Sequence, residues 1–92
     1  MDNERDILRG QQAKELLEHP LLAEAFTTLE QEILSEWQNS PARDIEGREK
    51  LWMMLKLAQR VKSALETLVD TGKLAKHQLI ERQSLLPNIF RG

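Results

Sequence analysis

The amino-acid sequence predicts an all-α protein: an antiparallel helical hairpin with a long central helix, flanked by N-terminal and C-terminal helical segments. Three observations predict it. Leu, Ala, Glu, Gln, Lys and Arg fill most positions, β-branched residues are few and tyrosine is absent, so propensity favours helix and no segment reads as a strand. Apolar residues recur at three- and four-residue intervals from Leu22 to Trp37, and again from Leu51 to Val69. Between these runs lies Asn39-Ser40-Pro41, where the residue before proline leaves the α region and the Asn and Ser side chains compete for backbone hydrogen bonds.

Residues 3–18 are helical in composition, although Ile7, Leu8, Ala13, Leu16 and Leu17 do not gather on one face and Gly10 interrupts the run. His19-Pro20 opens a helix expected over 20–38, because a first-turn proline gives up an N–H that would be unpaired there anyway. Leu22, Phe26, Leu29, Ile33 and Trp37 then fall within about 80° of one another, with Glu24, Thr27, Gln31, Ser35 and Gln38 opposite. A third helix is expected over 44–71, with Asp44 as N-cap, Glu46 and Glu49 near its positive end, and Gly72 as a left-handed C-terminal cap. A short helix over 73–84 and an extended tail over 85–92, broken by Pro87, complete the chain. A chain of this length has room for one core, so residues 1–92 are expected to form a single helical domain.

The long helix carries more apolar surface than one partner covers. Leu51, Met54, Leu55, Ala58, Val61, Leu65, Leu68 and Val69 make a stripe that Met53, Leu57 and Ala64 widen to an arc of about 200°, against about 100° to 140° on a helix packed against one neighbour. The 20–38 helix can cover part of it. The N-terminal segment, a second copy of the chain or another protein must cover the rest, and the protein is expected to be oligomeric.

The charges divide along the chain. Residues 1–46 hold eleven acids and four bases, a net of −7, whereas residues 47–92 hold four acids and nine bases, a net of +5. Such halves would attract each other within one molecule or head to tail between two, while an ordinary solvated surface is the plainer reading. No cysteine is present, which excludes disulfides and thiolate zinc sites. No apolar run approaches the roughly 18 residues that span a bilayer, and Met1-Asp2-Asn3-Glu4 lacks the features of a signal peptide, so no membrane partner and a cytoplasmic location are expected.

Nothing in the sequence points to catalysis, a metal or another cofactor. His19 precedes proline at a helix boundary, where capping explains it, and His77 lies among Lys73, Lys76 and Arg82. The carboxylate pairs Glu15/Glu18, Glu32/Glu36 and Glu46/Glu49 have helical spacing, but no histidine completes a di-metal site, and there is no glycine-rich phosphate loop. Trp52, Met53, Leu57, Ala64 and Leu68 are the candidate interface. Trp52 stands out because it shares the polar side of its helix with Gln59, Ser63, Glu66 and Asp70; it either folds back over the hairpin loop or anchors a partner. Lys56, Arg60, Lys73, Lys76 and Arg82 are a candidate basic patch for nucleic acid, although the bases are spread around the helix and no helix-turn-helix is recognisable.

The stretch Glu36-Trp37-Gln38-Asn39-Ser40-Pro41-Ala42-Arg43-Asp44-Ile45-Glu46-Gly47-Arg48-Glu49-Lys50-Leu51-Trp52, with Leu65-Glu66-Thr67-Leu68-Val69-Asp70-Thr71-Gly72-Lys73 after it, resembles short helical proteins encoded by tailed bacteriophages and prophages. The pattern is a tryptophan near a helix end, a Ser-Pro loop, then Gly-Arg-Glu and a second tryptophan. The resemblance implies a phage-encoded, non-enzymatic accessory factor of virion assembly or DNA packaging, found in the bacterial host cytoplasm or on the virion. It carries no residue role with it. A small nucleic-acid-binding accessory protein and an inhibitor of a host enzyme are the alternative expectations.

Overall fold

The computed structural model describes the backbone of residues 3–91 and the side-chain environment of residues 3–84. It contains three helices, α1 (Asn3–Glu18), α2 (Pro20–Asn39) and α3 (Ile45–Arg91), and no strand among the described residues. The chain gathers into two compact units, one of residues 1–16 with 65–92 and one of residues 17–64.

One residue separates α1 from α2. His19 is extended (φ −69°, ψ 123°), its carbonyl accepts from the amides of Leu22 and Ala23 at 3.1 Å each, and its Nδ1 accepts from the Leu21 amide at 3.2 Å. The imidazole therefore takes the place of the usual Asn or Ser cap, satisfying a first-turn amide that lacks an intrahelical partner.

The second unit is a helical hairpin of α2 and the first twenty residues of α3. Its core is thin: Ile33 and Ala58 are buried, and Leu22, Phe26, Leu51 and Leu55 are half-buried around them. The loop between the helices is built from capping bonds. Ser40 closes α2 by donating both its amide (3.2 Å) and its hydroxyl (2.6 Å) to the Trp37 carbonyl. Asp44 opens α3, accepting the Gly47 amide on Oδ1 at 3.0 Å and the Arg48 amide on its carbonyl at 3.0 Å. A side chain at 47 would run into that carboxylate, so the glycine keeps the cap in place.

The first unit packs α1 against α3 through two glycines. A Cβ placed on Gly10 would lie 2.9 Å from the Gly72 Cα and 2.9 Å from the Leu68 carbonyl oxygen; one on Gly72 would lie 2.9 Å from the Gly10 Cα and 3.0 Å from the Asp6 carbonyl oxygen. The two backbones touch, which suits weak Cα–H···O contacts and excludes any side chain at either position. Ala13 and Ala75, each three residues further on, are buried beside them.

This crossing corrects the expected end of the long helix. No residue among those described has a positive φ, so Gly72 is not a left-handed cap, and α3 continues without a break through the segment expected as a short helix (73–84) and on to Arg91 in the segment expected as an extended tail (85–92), whose last residue lies outside the described ones. Gly72 serves close approach, and the strong helix formers from Lys73 to Arg82 carry the helix onward. Pro87 lies within it, where its missing amide leaves one carbonyl a turn earlier without the usual partner. Gly10 likewise does not interrupt α1.

Candidate protein-binding face

The hairpin loop holds the site's elements in place through Arg48. Its Nη1 donates to the Trp37 carbonyl (3.2 Å), the Ser40 carbonyl (3.2 Å) and the Ser40 hydroxyl (2.9 Å), while the guanidinium lies 4.1 Å from the centre of the Trp37 ring. One side chain thus adds a donor to the Trp37 carbonyl that Ser40 already caps, gives the Ser40 carbonyl a partner and covers the indole. Trp37 itself is 42% exposed; the stripe that predicts it as core places it at the last turn of α2, where its cover comes from Arg48.

Beyond the loop, the first half of α3 turns a large apolar face to solvent. Met53 is 59% exposed and Leu57 62% exposed, and Met54, Val61 and Ala64 are also exposed. Leu57 and Met53 line a shallow groove of about 550 Å³ whose polar rim consists of Lys50, Lys56 and Arg60, with no acid among its lining residues. A contiguous exposed apolar surface with a polar rim is the usual mark of an interface.

Trp52 sits between two surfaces. It is 57% exposed, with the Lys56 ammonium 5.6 Å from its ring centre on the groove side. It also lines a smaller apolar pocket of about 160 Å³ with Leu34 and Trp37 of α2 and Leu51 and Leu55 of α3. The indole therefore lies along the open edge of the hairpin, partly against α2 and partly free.

Four of the five sequence-selected interface residues, Trp52, Met53, Leu57 and Ala64, share this exposed stretch. Leu68 does not belong with them. It lies in the other unit, half-buried, with its carbonyl against Gly10, because α1 covers this part of the apolar arc. The five bases selected as a patch also separate: Lys56 and Arg60 join Lys50 on the groove, whereas Lys73 and Lys76 join Lys14 and Gln11 around a cleft of about 250 Å³ beside the glycine crossing. Arg82 is exposed further along α3 and lines neither.

Two features escaped the sequence reading. The glycine crossing had a signal, since Gly10-x-x-Ala13 and Gly72-x-x-Ala75 repeat one small-residue spacing in two helices. Arg48 had none, because its bonds reach eight and eleven residues back across a loop. His77 forms an exposed 2.9 Å pair with Glu81 one turn away, and among the described residues no group of three or more His, Asp or Glu side chains could hold a metal ion. No helix among them is long and apolar enough to cross a membrane. No protein-family profile, curated protein or solved structure matches the chain.

Proposed function

We infer that the protein is a non-enzymatic interaction factor that docks on protein through the α3 face of Trp52, Met53, Leu57 and Ala64. The observation that carries this reading is the groove itself: exposed apolar side chains on consecutive turns of one helix, rimmed by cations, a combination that is costly to leave in water. Tryptophan and methionine suit the role, the first as a large anchor and the second as an adaptable contact. The likeness of residues 36–73 to small phage proteins adds the context of an accessory factor of virion assembly or DNA packaging.

Affinity capture from a phage-producing bacterial lysate tests the reading, with wild type, Leu57→Glu and Trp52→Ala run side by side. Both side chains are more than half exposed, so each variant is expected to keep its helicity and most of its thermal stability. Leu57→Glu should abolish capture, and Trp52→Ala should weaken it by about 2 kcal/mol or more. Capture unchanged in both folded variants would sink the reading.

A second reading, nucleic-acid binding, is favoured by the cleft in the first unit, where Lys14, Lys73 and Lys76 converge. It requires affinity for duplex DNA or RNA that falls steeply with salt and falls again when Lys73 and Lys76 are replaced by Gln. Salt-independent or absent binding removes it.

A further inference from the structure

The groove on α3 is basic and apolar, and the same chain carries a surface of the opposite kind. On α2, Leu21, Ala25, Leu29, Glu32 and Glu36 recur at intervals of four, four, three and four, which places them within about 80° of one another on the helix. All five are exposed, with Leu21 the most open of the large apolar residues on α2. On α3, Lys50, Met53, Leu57, Arg60 and Ala64 recur at intervals of three, four, three and four and span about 80° likewise. Among the described residues, neither the bases of the one stripe nor the acids of the other take part in an ion pair.

We propose that the occupant of the α3 groove is the acidic stripe of α2 from a second copy of this chain, docked antiparallel. The inference rests on the reading of the α3 face given above and names its partner. An antiparallel register that sets Leu29 against Leu57 brings Leu21 to Ala64 and Glu36 to Lys50, while Ala25 falls beside Arg60 and Glu32 beside Met53; two apolar pairs form, one pair of opposite charges meets directly, and the acids and bases of the two stripes attract over the rest. A two-fold pairing of the α3 face with itself is disfavoured by the same charges, because it brings two sets of Lys50, Lys56 and Arg60 together.

Because the two docking surfaces are different patches, a pair keeps one of each free, the α3 groove on one copy and the α2 stripe on the other, and the contact either closes into a ring or continues as a filament.

Multi-angle light scattering on nuclease-treated protein tests the proposal. Wild type at high micromolar concentration should show a mass above 10.7 kDa that falls as salt rises from about 0.05 M to about 0.5 M. The charge reversals Lys50→Glu/Lys56→Glu/Arg60→Glu and Glu32→Lys/Glu36→Lys should each weaken association at least about tenfold, and an equimolar mixture of the two should restore it. A monomeric wild type, association insensitive to salt, or α2 reversals without effect would each overturn the proposal; the last would indicate α3 pairing with itself. The salt series needs no variant, so misfolding of a reversal does not stall the test. If wild type is monomeric while lysate capture still depends on Leu57, self-docking fails and the interaction reading stands.

Discussion

The two units of this chain solve the same packing problem in opposite ways. In the first, α1 and α3 meet at Gly10 and Gly72 with backbone against backbone, and buried alanines continue the contact. In the second, α2 and α3 meet through larger side chains around Ile33 and are locked at the loop by Arg48. The small-residue contact leaves no room for substitution, since backbone cannot move aside as a side chain can. The side-chain contact is adaptable but covers less of α3, and Met53, Leu57 and Val61 remain open to solvent. Among the residues whose side chains are described, the exposed large apolar ones of α3 in the first unit, Leu74 and Ile80, stand about 120° apart and form no common face. The difference teaches that the candidate binding surface lies where side-chain packing is incomplete, away from the crossing where it is tightest.

Substitutions can break this contrast. The largest effect is expected at the crossing, where Gly72→Ile should destabilise the protein by about 3 kcal/mol or more through overpacking. Gly72→Ala should still lower stability by about 1 kcal/mol, even though alanine gains up to roughly 1 kcal/mol of helix propensity, because its Cβ meets backbone atoms at 2.9 Å and 3.0 Å. Urea denaturation of both variants measures this, and an unchanged or raised midpoint for Gly72→Ala would show that the helices separate freely.

Removing the loop latch is expected to have the next largest effect. Arg48→Ala should cost about 2 kcal/mol, since three hydrogen bonds and the cover over Trp37 are lost together and the Ser40 carbonyl must turn to water. Arg48→Lys should recover little of it, because an ammonium cannot lie flat on the indole while reaching both Ser40 oxygens. Trp37 fluorescence during thermal unfolding reads the loss, and full recovery by lysine would reduce the latch to simple charge.

The smallest effect sharpens the comparison. Gly47→Ala, unlike Gly72→Ala, meets a side-chain carboxylate that can swing away, so the lost Asp44 cap (about 1 kcal/mol) and the gained helix propensity (about 1 kcal/mol) should nearly cancel. Thermal midpoints of the two alanine variants, compared directly, separate a glycine held by backbone from one held by a side chain. Equal losses at the two positions would contradict that distinction.

Much of the helical content was legible in the sequence because its signals are local. His19-Pro20, Asn39-Ser40-Pro41 and Asp44 mark boundaries through bonds to residues no more than four positions away. The candidate face was legible for a related reason: Met53, Leu57 and Ala64 lie on the flank of the apolar arc furthest from Leu51 and Leu55, so their exposure follows from helical period once α2 is in place.

The sequence by itself determined that this is a helical protein, where α1 and α2 lie and where α3 begins, and that α3 carries more apolar surface than one neighbour can cover; propensity, capping and periodicity act within a turn or two of chain. Only the tertiary structure decided what the glycines do and which part of the arc stays open. Gly72 fits a left-handed cap and a helix crossing equally well by local rules, and the choice depends on Gly10, sixty-two positions earlier, arriving at backbone distance. Leu68 passes from candidate interface to packed residue for the same reason, since burial is a property of whatever lies opposite.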